Sequence, residues 1–109
     1  MPTNYKVLGQ SNPTATTLTT LYTVPAATEA VISSIVIANL AATTATFRIA
    51  VRPDGASITN SQYVGYDITV GASDSTVLTL GITMNAADVL SVYASTSTVT
   101  FSAFGSEIS

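Results

Sequence analysis

The sequence predicts an all-β chain, a two-sheet antiparallel β-sandwich of about eight strands with jelly-roll or immunoglobulin-like topology. Three observations carry this expectation. Apolar residues recur with a period of two, and no segment sustains a period of 3.6. Turn chemistry returns about every eight to twelve residues. Thr, Val, Ile and Tyr, which suit a pleated surface, dominate the segments between the turns.

Taken in order, Tyr5 to Leu8 and Thr16 to Val24 read as the first strands, separated by Gln10-Ser11-Asn12-Pro13. Val31 to Leu40 is apolar at nearly every position, which predicts a central strand covered on both sides. Ala45 to Arg52 alternates cleanly: Ala45, Phe47, Ile49 and Val51 face the core, and Thr46, Arg48, Ala50 and Arg52 face outward. Pro53-Asp54-Gly55 ends that strand with turn chemistry. In Gln62 to Val70, Val64, Tyr66, Ile68 and Val70 share the apolar face, opposite Tyr63, Gly65, Asp67 and Thr69. Ser75 to Leu80, Asp88 to Ala94 and Thr98 to Gly105 complete the set. The last of these sets Val99, Phe101 and Ala103 against Thr100, Ser102 and Phe104. A weak internal echo relates Leu21 to Val31 with Leu80 to Val89: a strand end, an Ala-Ala loop, an acidic residue and a new apolar strand. A recurring turn explains it.

Composition narrows the function classes. Only 8 % of the 109 residues are charged, where roughly a quarter is usual. Neutral hydroxyls stand in for them, with 19 Thr and 13 Ser. A hydrophobic share of 47 % supports one packed domain over residues 1–109 and argues against disorder. Three basic residues and a net charge of −3 argue against nucleic acid as a partner, which demands clustered Lys and Arg. The same shortage argues against a polybasic membrane anchor, and no stretch reaches the length of an apolar membrane span. The N-terminal Met-Pro-Thr-Asn-Tyr-Lys has no apolar h-region, so no signal peptide is expected.

The chemistry of catalysis is sparse. With no His and no Cys, a Ser-His-Asp triad, a Cys nucleophile and a Cys/His zinc site are excluded. A Ser-Lys dyad would need Lys6, which reads as a plain surface lysine. No phosphate-binding glycine motif is present, and no Asp-x-Asp-x-Asp spacing points to calcium. Asp54, Asp74 and Asp88 read as turn residues. No enzyme activity, cofactor or metal is expected. A cell-wall glycanase using Asp67 and Asp88 is the weakest alternative.

The residues that do stand out suit contact surfaces. Arg48 and Arg52 share the outer face of one strand, and Arg is enriched at interfaces. Tyr63 and Asp67 face outward on the next strand, whereas Tyr66 and Tyr93 read as core or rim. A carbohydrate site would want an exposed aromatic platform, preferably Trp, and none is expected. Phe104 and Glu107 belong to a C-terminal segment that, with the N-terminal strand, reads as a docking arm.

Several blocks also carry a resemblance. They are Tyr5-Lys6-Val7-Leu8-Gly9-Gln10, Leu21-Tyr22-Thr23-Val24-Pro25, Thr46-Phe47-Arg48-Ile49-Ala50-Val51, Tyr66-Asp67, Leu80-Gly81-Ile82-Thr83, Asp88-Val89-Leu90-Ser91-Val92-Tyr93-Ala94 and Phe104-Gly105-Ser106-Glu107-Ile108. The series resembles small virion structural proteins of tailed bacteriophages, especially phages of aquatic bacteria including cyanophages, over essentially the whole chain. The resemblance implies a β-sandwich on the outside of the particle and brings no catalytic residues. The expectation is therefore a capsid decoration (cement) protein, a homo-oligomer with a trimer favoured. It would sit on the major capsid protein of the virion after assembly in the host cytoplasm. A neck or tail fibre, or a receptor-binding module facing the host, is the alternative.

Overall fold

A computed structural model describes residues 3–109; Met1 and Pro2, part of the N-terminus read above for a signal peptide, lie outside the described residues. The strands are β1 (Thr3–Ser11), β2 (Thr19–Thr23), β3 (Glu29–Asn39), β4 (Ala45–Arg52), β5 (Tyr63–Val70), β6 (Ser75–Leu78), β7 (Ile82–Met84), β8 (Val89–Ala94) and β9 (Val99–Ile108). Single 3-10 turns at Pro53–Gly55 and Asn60–Gln62 interrupt the β4–β5 connection. The expected eight strands are all present. The additional β7 is three residues long, and Leu78 to Ile82 passes through Gly81 at φ +62°, which separates β6 from β7 along the same edge of β3.

All pairings are antiparallel and nested: β1 with β9, β2 with β8, β3 with β6 and β7, and β4 with β5. The N-terminal half of the chain thus pairs in mirror order with the C-terminal half. Two further pairings, β3 with β9 and β4 with β8, roll this long hairpin into two sheets. The first sheet runs β1-β9-β3-β6, with β7 also on β3; the second runs β2-β8-β4-β5. Nested pairing rolled in this way is a jelly roll, which decides between the two expected topologies.

The core lies between the sheets. Ile32, Ile35 and Ile37 of β3 and Val99, Phe101 and Ala103 of β9 face Phe47, Ile49, Leu90 and Val92 of the second sheet. Phe47 and Phe101 meet edge to face, with ring centroids 6.1 Å apart, a favoured aromatic geometry. The alternation expected for β9 is the observed one; in β4 it holds from Ala45 to Ile49, after which Ala50, expected outward, is buried and Val51 is half-buried. β3 is different: its second face is half-buried or exposed, because Ser33 and Ser34 break the apolar run. A continuous apolar reading overstated its cover, since among the described residues no strand or turn packs on the outer side of the first sheet.

Close backbone approaches and left-handed turns set the remaining geometry. β3 and β9 slip register between Ile32 and Ser34, and a Cβ on Gly105 would fall inside the Val31 carbonyl. The two Ala-Ala loops of the internal echo prove to be the same turn used twice. Ala27 and Ala87 both take positive φ, at 55° and 70°, a conformation L-residues avoid. The turns lie side by side: the Val24 amide donates to Asp88 O at 3.0 Å, and the Ala87 amide donates to Val24 O at 3.1 Å. At the opposite end Asn39 is buried and fully bonded. Its amide donates to Thr43 O and Gly71 O, and its oxygen accepts from the Ala41 amide and the Thr98 hydroxyl.

Two outcomes follow for chemical denaturation. Gly105→Ala lowers stability by about 1–3 kcal/mol, because backbone must move to admit a methyl group. Ala27→Gly and Ala87→Gly each raise it by roughly 0.5–1 kcal/mol, by removing the left-handed penalty on a Cβ.

Candidate interaction surfaces

The outer face of the second sheet carries one organised cluster. Arg48 projects outward from β4, opposite Tyr93 of β8. On its other side, Phe47 pairs with Ile68 and Ile49 pairs with Gly65, so Tyr66 and Asp67 together oppose Arg48. This is a β-bulge, and Asp67 supplies its left-handed residue at φ 50°; Asp is among the residues that tolerate that region. The bulge reverses the facing of β5 only from Val64 to Tyr66: Ile68 and Val70 keep the expected side, and a second register shift, between Ile49 and Ala50, sets Tyr63 opposite Ala50. Val64 and Tyr66, expected on the apolar face, are exposed, while Gly65 turns inward.

The consequence is a stacked cation. The Arg48 guanidinium lies 4.1 Å from the Tyr66 ring centroid and 4.3 Å from that of Tyr93. Asp67 holds it from the side, with Arg48 Nε donating to Oδ1 at 2.7 Å and Nη2 to Oδ2 at 3.4 Å. The hydrogen bond to Asp67 raises the guanidinium pKa further above its already high value. Tyr63 stands against Tyr66 at 84°, with centroids 4.9 Å apart. Arg48, Tyr63 and Asp67 of the expected contact residues are therefore assembled in one place. Tyr66 and Tyr93, read as core or rim, are members of the cluster, Tyr66 with 56 % of its surface exposed. An aromatic pair with one exposed ring, Tyr66, and one half-buried ring, Tyr63, is present where no aromatic platform was expected.

Arg52 lies apart from it. Its Nε donates to Ala56 O at 2.8 Å, Nη2 to Gly55 O at 3.0 Å and Nη1 to Ser91 Oγ at 3.4 Å. It closes the Pro53–Gly55 turn onto the sheet, and the expected contact anchor is spent inside the chain. Asp88 binds the same region, accepting the Asp54 and Asn85 amides, the turn role expected of it.

Glu107 is also internal. Expected on a docking arm, it is buried at the margin of the core. β9 places its carboxylate between Lys6 of β1, at 2.7 Å, and the phenol of Tyr22 on β2, which donates to it. The ion pair with Lys6 and the Tyr22 hydrogen bond hold the carboxyl below the usual carboxylate range, against the opposing effect of burial. Burial, then the carboxylate beside it, pushes the Tyr22 phenol up. The triad joins the first sheet to the second. No sequence pattern marked Tyr22 as its partner, because the two are 85 residues apart.

Phe104 sits on the outer face of the first sheet. It is half-buried in a shallow groove of about 620 Å³ that Tyr5, Val7 and Val31 also line. Tyr5 and Val7 are exposed on β1, and Val77 continues the apolar positions on β6. The facing segments 31–38, 75–78 and 100–106 contain no charged residue. Among the described residues no cluster of acidic side chains could hold a metal ion.

The Glu107 triad sets an acid dependence. Its carboxyl titrates lower folded than unfolded, so its contribution is complete above about pH 4.5 and is lost as pH falls below that value. Glu107→Gln costs about 1–2 kcal/mol at neutral pH, and its denaturation midpoint falls less steeply in acid than that of the parent. No protein-family model matches the chain and no curated protein matches its sequence, so no family is assigned to it.

Proposed function

We propose that the chain is a structural protein of a tailed-phage virion, a capsid decoration protein. It assembles as a homo-oligomer, a trimer favoured, and seats on the major capsid protein by the outer face of its first sheet. Nucleic acid and membrane are not its partners in this reading, and no catalysis is involved. The observation that carries the proposal is the chemistry of that face. Tyr5 and Val7 are exposed and line a groove with Phe104, Val77 is exposed on β6 of the same sheet, and the facing segments carry hydroxyls in place of charges. Contiguous exposed apolar surface marks interaction sites. Interface centres are depleted in Lys, Glu and Asp, whose desolvation is costly. The resemblance of the sequence blocks named above to small phage virion proteins is the second ground for this reading. Each copy contributes modestly, and repetition over a lattice supplies the mechanical strength.

A neck or tail component would use the same kind of surface, and copy number separates the two. Gel densitometry of purified particles gives hundreds of copies for decoration, and a small multiple of three, six or twelve for neck or tail. Val7→Asp places a carboxylate on an exposed position of the seating face. It reduces occupancy on particles by at least about tenfold, with the melting temperature of the isolated protein within a few degrees of the parent. Unchanged occupancy, or particles without the protein that resist heat and osmotic shock as well as complete ones, overturns the proposal.

A further inference from the structure

The second sheet carries a cleft that seating by the first sheet does not use. Tyr63, Tyr66 and Asn60 line it, and it holds about 470 Å³, within the size range of small-molecule sites. The two rings stand at 84° to each other, so they form adjacent walls of a notch. The rings pack on each other, and the backbone turn that carries Asn60 is closed before any ligand arrives. Arg48 packs on Tyr66 at 4.1 Å and is itself forked onto Asp67. Asn60 opens a 3-10 turn closed by a capping box, in which the Gln62 side chain accepts the Thr59 amide at 3.0 Å. A site held in place loses little conformational freedom on binding.

The lining specifies the ligand class. It offers flat apolar ring surfaces beside neutral donors and acceptors: two phenols and one amide. It offers no uncompensated charge, since Arg48 and Asp67 neutralise each other at 2.7 Å. An anionic ligand would meet the Asp67 carboxylate, and a cationic one would compete with a forked arginine. The matching molecule has a ring-sized apolar face, a rim of hydroxyls and no net charge. We infer that Tyr63, Tyr66 and Asn60 form a binding site for a neutral pyranose glycan. The site is open and shallow, so single-site affinity is weak, and many copies on one particle convert it into avidity. The inference depends on the virion reading only for that avidity.

The test uses the isolated full chain, which separates it from the question of particle assembly. Neutral hexasaccharides of glucose, mannose and galactose are titrated to millimolar concentration, and amide shifts are followed by NMR. The expected result is shifts confined to residues 58–67 and 93 with at least one of them. Tyr66→Ala and Tyr63→Ala each weaken that binding by at least about tenfold, whereas Tyr66→Phe and Val77→Ser keep it within about twofold. Tyr63→Ala guards against loss of packing around Arg48, because both rings stacked on Arg48, Tyr66 and Tyr93, remain in the chain. No shift with any neutral hexasaccharide overturns the inference. So does binding that survives both alanine variants, or tighter binding in the notch by oligoproline or by an oligouronate.

Discussion

Every layer of this molecule depends on the last strand reaching the middle of the first sheet. β9 pairs with β1 on one side and β3 on the other, so the earliest and latest residues of the chain are neighbours. The same strand sets Phe101 against Phe47 at the centre of the core. It carries Glu107 to Lys6 and Tyr22 at one margin and Phe104 to the outer groove. Without β9, β1 has no partner among the described strands, and the two sheets lose a core wall and their Tyr22–Glu107 link. Such pairings of distant segments pay loop-closure entropy before contacts reward it.

Much of this was legible in the residues, and the failures share a cause. Alternation located β4 and β9 and assigned the faces of β9 and of β4 as far as Ile49, because there the strands keep a period of two on the side that meets the core; Ala50, small enough to be covered on either face, is buried out of turn. It failed on β5, where Asp67 takes a left-handed conformation and the bulge exchanges the faces from Val64 to Tyr66. An Asp between Tyr and Ile gives no local sign of that, whereas a Gly would have. It also missed β7, whose three residues are too few to show a period. Glu107 looked like a surface acid near the chain end; its burial depends on Lys6 and Tyr22, which only the folded topology brings within reach.

The two outer faces answer different physical demands. The first sheet presents an open groove with hydroxyls and aliphatic side chains, chemistry that gains from being covered. The second presents tyrosines organised around a cation that is already neutralised, a surface of ring faces and phenols with its charge cancelled in place. The sandwich is thin, with Cα extents of 45 × 27 × 19 Å, so a partner held on one face leaves the opposite face directed away from it. The Asp67 bulge is what makes the second face possible: it puts two side chains opposite Arg48 where a regular ladder would put one.

Arg48, Lys6 and Arg52 are the chain's three basic residues, and each is answered within the fold by a carboxylate or by backbone oxygens. The Lys6–Glu107 and Arg48–Asp67 pairs each close at 2.7 Å, a shorter distance than the Debye length of about 8 Å in physiological salt. Arg52 is held by dipoles alone and keeps its charge. Salt therefore leaves the two ion pairs nearly untouched and acts instead on what they leave over, a net charge of −3 that sets how strongly two copies repel at a distance.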